Sequence, residues 1–284
     1  MIVVDKKTCR GCGRCAETCH EGCISLVENG NHRVASVDHE LCSTCTQCIA
    51  ICAQQALSWD SVPPVAYDGT RLPSVEQLDE LFKERRTIRR FKEERIERAL
   101  LQEIVGYGIY APTNNYTLRA IVVDDPVMMV ELDQIILQFV STIYKLIFKP
   151  RLVFGLLRRI TPSIQRKDKV KMESDLGRGG TFDRPPPAVV FIVGDRRIGL
   201  TEASAQYALY NMILYAQARG IGSRLKGTGP IFLNRSRAAR QRLGLHKHER
   251  IFGTLELGVP DVRFRNKVEG KMPSLQWNGG AADV

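Results

Sequence analysis

The chain has 284 residues, 44% of them hydrophobic and 25% charged, with a formal net charge of +10. That length can bury one large or two ordinary cores, and the balance excludes a disordered or fibrous chain. No run of about 18 uninterrupted apolar residues is present, against a membrane span. The start "MIVVDKKTC" has no basic-then-apolar leader, so a cytoplasmic protein is expected.

All nine cysteines fall within the first 52 positions. An odd number crowded at one end makes a poor disulfide framework, so metal binding is the expectation. Cys9, Cys12, Cys15 and Cys19 form a C-x2-C-x2-C-x3-C run, and Cys42, Cys45, Cys48 and Cys52 repeat it. Zinc ribbons use pairs of cysteines parted by a longer loop, whereas three cysteines at steps of three wrap one cluster. The doubled run resembles the bacterial two-cluster ferredoxins over residues 1–60. That resemblance implies a [4Fe–4S] cluster on Cys9, Cys12, Cys15 and Cys52, and a second on Cys42, Cys45, Cys48 and Cys19. The proline usual after the fourth cysteine is His20 in one run and Ala53 in the other. Cys23 reads as a small buried thiol rather than a ligand, and His20 as a partly exposed histidine or a tuner of the cluster.

Residues 61–74, with "SVPPVAYDGTRLP", read as a linker. The charge changes across it: residues 1–60 hold five Lys/Arg against seven Asp/Glu, so the remainder carries +12. Ser74, with Gln77 three residues on, makes a capping box that opens a helix and the second domain, 75–284. "KERRTIRRF" at 83–91 puts four arginines in six positions. Guanidinium forks beside a threonine hydroxyl suit a phosphate, and a solvated basic helix end is the alternative. "RAIVVDD" and "AVVFIVGD" read as buried strands, "TEASAQYALYNMILYAQARG" as a buried helix ended by Gly220, and "IFGTLELGVP" as a last strand. Strands and helices alternate irregularly, which favours an α+β layered fold. No G-x-G-x-x-G lies between a strand and a helix, and no P-loop is present.

Residues 132–182 read as a helical basic insertion. "LDQIILQFVSTIYKLIF" has apolar residues at helical spacing, and "RLVFGLLRRI" follows Pro150. Lys145–Lys171 holds nine Lys/Arg and one acid, Asp168. A cover over a cleft or a dimer seam is the favoured role. A surface resting on anionic lipid and a docking patch for an acidic redox partner are the two others, and contact with a membrane is not expected. Nucleic-acid binding is not expected, because no aromatic interleaving accompanies the charge.

"RRTIRRF", a helix, "GIYAPTNNY" at 108–116, the strand "AIVVDD", "GIGS" at 220–223, "KGTG" at 226–229, "GTLELGVP" and "VRFRNK" occur in the order seen in the FMN-dependent nitroreductase family, which residues 75–270 resemble. The resemblance implies a three-layer α+β domain with a mixed central sheet, FMN as cofactor, and a homodimer that sandwiches each flavin. By motif, Arg85, Arg86, Thr87, Arg89, Arg263 and Arg265 would clamp the phosphate. A backbone amide among Leu225, Lys226 and Gly227 would meet flavin N5. Thr113, Asn114 and Tyr116 would contribute from the partner subunit. The family's longer P-S-x-x-N-x-Q-P-W stretch is compressed here to "PTNNYTL". Together the two resemblances imply an electron-transfer enzyme: two [4Fe–4S] clusters feeding FMN, a small electron-poor acceptor, and a redox-protein donor. Two alternatives remain open, an NAD(P)H-fed flavoenzyme sending electrons outward and a non-catalytic carrier or sensor.

Overall fold

The computed structural model describes residues 1–112, 117–161, 164–270 and 273–278. The cysteine-rich segment folds on itself. Strand β1 (Ile2–Val4), helix α1 (Arg14–Thr18), the hairpin β2 (Ile24–Asn29) and β3 (His32–Val37), helix α2 (Gln47–Ala50) and strand β4 (Leu57–Trp59) follow in order. β1 pairs antiparallel with β4, and β2 with β3. Ile2, Ile24, Val34, Ala35, Ala56 and Leu57 make a small core together with cysteine side chains. A segment of about 60 residues has only a small, marginal core, so any group that ties its cysteines together would add to its stability.

Helix α3 (Val75–Glu84) opens on the expected box, in which the Ser74 hydroxyl accepts from Gln77 N–H and the Gln77 side chain accepts from Ser74 N–H. Then come α4 (Arg98–Gly106), β5 (Arg119–Val123), α5 (Pro126–Ile143), α6 (Arg151–Ile160), α7 (Arg166–Arg178), β6 (Ala188–Asp195), α8 (Thr201–Ala218), β7 (Gly222–Leu225), α9 (Thr228–Leu233), α10 (Arg237–Arg242) and β8 (Glu249–Gly258). The expected strands and long helices stand where the sequence patterns put them; β7 lies within what reads in sequence as a glycine turn.

The central sheet runs β5-β6-β8-β7, with every pair of strands antiparallel. Its parallel element among the described residues is a single bridge from Thr87 to Ser223 at the β7 edge. β6 is apolar nearly throughout because both its faces are covered. Val190 and Ile192 pack under α4 and α8, while Val189, Phe191 and Val193 pack under α5, α9 and α10. Helix, sheet and helix therefore form three layers.

Helix α5 and the wide turn after it, Pro126–Phe148, are long and apolar enough to cross a membrane by length and composition. The fold uses this helix otherwise. Met129, Leu132, Ile136 and Val140 lie against the sheet, and Asp133 is ion-paired within the core.

Candidate functional site

The two cysteine runs fold alike. In each, the third cysteine sits on a short helix whose preceding residue, Gly13 or Thr46, is left-handed at φ 83° or 63°. Two residues earlier the same conformation recurs at Gly11 (φ 62°) and Thr44 (φ 57°). Glycine adopts it freely, but a β-branched threonine is strained there. Gly11 has a second reason to be glycine, since a Cβ would lie 2.3 Å from the Arg33 carbonyl oxygen.

Cys9, Cys12, Cys15 and Cys52 line one small cavity with Leu26, Ala35 and Leu57, so the last cysteine of the second run joins the first three of the first. Cys48 lies within electrostatic reach of Cys45, Cys42 and Cys15. Cys23 Sγ stands 3.3 Å from Cys19 Sγ and also reaches Cys42, which brings the fourth cysteine of the first run to the second set. Cys23 itself is 5% exposed, and burial, followed by Cys19 and Cys42, pushes its thiol up to about 12. Backbone amides of Ala35, Thr44 and Ala56 donate to Cys9, Cys42 and Cys52 sulfurs at 3.4 Å each, contacts of the kind that tune a cluster's potential. Among the described residues no three His, Cys, Asp or Glu side chains close on a single ion. Four sulfurs around a cluster of eight atoms stand further apart than the ligands of one zinc, so this donor set fits [4Fe–4S] better than zinc. His20 is exposed and makes no hydrogen bond to a cysteine among the described residues.

In the second domain a cavity of about 570 Å³ opens at the β7 edge of the sheet. Residues 85–91 run extended there, held by Ile88 N–H to the Ser223 carbonyl at 2.9 Å and by Lys92 N–H to Val259 at 2.9 Å. In an extended chain successive side chains alternate. Arg85, Thr87 and Arg89 face the cavity, while Ile88 is buried behind, against Gly222, where a Cβ would lie 2.7 Å from its side chain. Arg86 falls on the other side of that alternation. Its Nη1 donates to the Lys83 and Arg85 carbonyls at 2.9 and 2.8 Å, tying off the end of α3, and its buried Nη2 has no hydrogen-bond partner among the described residues.

Leu225, Lys226 and Gly227 line the same cavity. Lys226 N–H is committed to the Thr254 carbonyl at 2.9 Å, whereas Gly227 N–H has no bonded partner among the described residues. The Lys226 side chain is 8% exposed and central to a buried polar network. Its Nζ donates to Thr181 Oγ1 at 2.7 Å, pairs with Asp133 at 3.3 Å and Glu256 at 3.7 Å, and lies 3.2 Å from the Phe182 ring centroid. Asp133 in turn accepts from Thr181 N–H at 2.7 Å and from the Thr181 hydroxyl. Burial pushes the Lys226 amine below the ordinary lysine value, against the pull of Glu256 and Asp133. Glu256, 1% exposed, is held mainly by Arg224, with contacts of 2.5 and 2.9 Å.

The insertion supplies the remaining wall: Phe148, Ile164, Asp168, Lys171, Met172 and Asp175. Sequence reading placed a cover here but missed these residues individually, and it missed that Lys226 is fixed by an acid seven positions into α5. Arg263 and Arg265 are exposed on the trailing segment and do not line this cavity. Thr113, Asn114 and Tyr116 lie outside the described residues.

A cysteine-rich cluster domain joined to a three-layer α+β core with a basic cleft defines an iron–sulfur oxidoreductase. The chain belongs to the Nitroreductase family, whose model matches residues 82–259, and a 4Fe-4S dicluster domain matches residues 8–60. An uncharacterized ferredoxin of Methanocaldococcus jannaschii is 33% identical over 70 residues, 25% of this chain and 91% of that protein. Two solved structures share the fold. A nitroreductase with bound FMN from Bacteroides fragilis is 19% identical, with a TM-score of 0.52, over 70% of this chain and 99% of that one. Another with bound FMN, from Desulfitobacterium hafniense, is 19% identical with a TM-score of 0.52 over 69% and 97%.

Proposed function

We propose that the protein is a flavin enzyme in which two [4Fe–4S] clusters supply electrons to FMN for reduction of a small electron-poor molecule: a nitro compound, a quinone or an activated alkene. The observation that carries this reading is the cleft, with Arg85, Thr87 and Arg89 at the sheet edge and apolar Val140, Phe148, Met172 and Ile213 in its walls. Guanidinium forks and a hydroxyl suit a phosphate, and apolar walls suit a flat ring, so the donor set fits FMN, the group bound in the two structural neighbours named above.

Bound there, FMN supplies a centre that accepts electrons singly and delivers them in pairs. Arg85 and Arg89 hold the phosphate, and Thr87 adds its hydroxyl. Gly227 offers the uncommitted amide at the ring edge. The Lys226 ammonium, fixed by Asp133 and Thr181, keeps positive charge in the cleft wall and favours negative charge beside it. The insertion walls the cleft off from water. Fusion to the dicluster domain holds the electron source at high effective concentration. Trp59, at the end of β4, shares a cavity of about 300 Å³ with Gly106, Gly108, Ile109 and Met212 of the core, which supports contact between the two domains.

The same reading includes a homodimer. An aromatic patch of Tyr107, Tyr110, Tyr207 and Tyr210, 42–71% exposed, supports it on the α4–α8 face. The test uses anaerobically purified protein, assayed for bound FMN and for flavin reduction by dithionite or reduced ferredoxin against NAD(P)H. Stoichiometric FMN reduced through the clusters and not by pyridine nucleotide is the expected result. Reduction by NAD(P)H with the clusters following reverses the direction of flow, and absence of flavin sinks the enzyme reading.

A further inference from the structure

We propose that helix α6 docks the protein on an anionic lipid surface, lying in the plane of the interface with its apolar stripe in the acyl boundary. The proposal stands apart from the flavin reading and from the direction of electron flow.

The geometry comes directly from spacing. Leu152, Leu156 and Ile160 recur every four residues, which stacks them on one helical stripe, with Val153 on its border. A helix of a water-soluble fold turns such a stripe inward. Here Leu152 is 90%, Leu156 60% and Ile160 67% exposed, and no residue of α6 is buried. The contacts α6 does make use a different side. The Phe154 ring lies 5.4 Å from Phe148, and Lys169 Nζ lies 5.5 Å from the Phe154 centroid. The helix is thus anchored to the body of the protein with its aliphatic stripe facing out.

Charge says what covers the stripe. Arg151, Arg158 and Arg159 occupy the remaining arc of the same helix, and Lys149 precedes it. All four are exposed, and none has an ion-pair partner among the described residues. Nine Lys/Arg against one acid in residues 145–171 make the surrounding surface cationic. A basic arc beside a purely aliphatic stripe is the pattern of an interfacial helix, in which anionic headgroups meet the cations while the acyl boundary takes the leucines. A folded acidic partner would meet the charges but leave the stripe without a shaped counterpart. A spanning role is excluded by the ten-residue length of α6. Helix α5, the longer candidate, is held in the core by Asp133 and Lys226.

The test is co-sedimentation of the intact, cluster-loaded protein with vesicles of phosphatidylcholine alone or mixed with phosphatidylglycerol, at low and high salt. Binding to the mixed vesicles, absent with phosphatidylcholine alone and released by high salt, is expected. The triple variant L152Q/L156Q/I160Q should lose most of that binding while keeping the parent's iron content and circular dichroism. Arg158→Gln and Arg159→Gln should each weaken it about fivefold. No binding to the anionic vesicles overturns the proposal, as does binding that the stripe variant leaves intact. A change in the vesicle-free protein's sedimentation from parent to stripe variant also overturns it, because the stripe would then be covered by a second copy of this chain.

Discussion

Asp133 and Lys226 allow the energetics of the cleft wall to be measured by a thermodynamic cycle. Asp133→Asn keeps the side-chain shape and an acceptor for the Thr181 N–H but deletes the charge. Lys226, 8% exposed, is then left with the Thr181 hydroxyl at 2.7 Å and with Glu256 at 3.7 Å, a carboxylate already engaged by Arg224. Removing one partner of a buried pair costs about 3–5 kcal/mol, and the residual Glu256 contact puts this case near the lower end, about 3 kcal/mol. Lys226→Met behaves differently. It removes a cation that burial already disfavours, and it leaves Asp133 with both Thr181 donors and Glu256 with Arg224. Its cost should be about 1 kcal/mol, including the lost contact with Phe182. The double variant should resemble Lys226→Met alone, giving a coupling of about 3 kcal/mol.

The assay is urea unfolding followed by far-UV circular dichroism on flavin-stripped protein, because a bound ligand would add its own stabilisation. Single costs that sum to the double within about 0.5 kcal/mol would refute the pair as an energetic unit. Alkaline pH gives a second check. The Lys226 amine lies below its ordinary value in the folded state, so between that value and the unfolded value, about 10.4, the unfolded chain binds more protons. Stability should therefore rise with pH across that window in the parent relative to Lys226→Met, and a falling difference would show that the burial term is not dominant.

Arg89→Met should weaken FMN binding about 10- to 100-fold in a fluorescence titration, as expected for one charge-assisted contact. Arg86→Met should leave that affinity unchanged and lower the stability of the α3 end. Cys52→Ala should lose iron and acid-labile sulfide, whereas Cys23→Ala should retain the parent's content of both; equal losses would make Cys23 a ligand. The Arg119 guanidinium holds the Glu249 carboxyl below the usual range, with contacts of 3.0 and 2.6 Å. A depressed carboxyl stabilises above its unfolded value and loses that contribution as pH falls through its folded value. Glu249→Gln should therefore cost about 1 kcal/mol at pH 7, discounted for the half-exposed arginine, and the gap in urea midpoints should close in acid.

The cysteine runs were legible because covalent ligand chemistry imposes spacing, and the covered strands because β6 is apolar on both faces. The arginine motif was legible as an anion site but not in which arginines serve it. That depended on whether residues 85–91 continue α3 or run extended, and on which face meets the cleft: both conformations group Arg85 with Arg89, but only the extended chain adds Thr87 to that side. The backbone bond from Ile88 to Ser223 decides it, and that partner lies more than 130 residues away in the chain. Lys226 was named for its backbone, whereas its side chain holds the larger role. Nothing local in "KGTG" signals burial; Asp133 and Thr181 reach it only after the insertion folds back along the sheet.

Thr44 and Thr46 extend the same point to the clusters. By spacing the two runs are equivalent, yet the first places glycine at both left-handed positions and the second places threonine. A left-handed non-glycine residue costs about 1–2 kcal/mol, and such strain persists only where its surroundings over-determine it. Around the second run those surroundings include Thr44 N–H, which donates to Cys42 Sγ at 3.4 Å and so depends on the curl that strains the residue. The repeated motif therefore encodes one ligand geometry at two different backbone costs. The second loop stores strain that its cluster must hold, while the first is relaxed and sterically fixed at Gly11 by the Arg33 carbonyl.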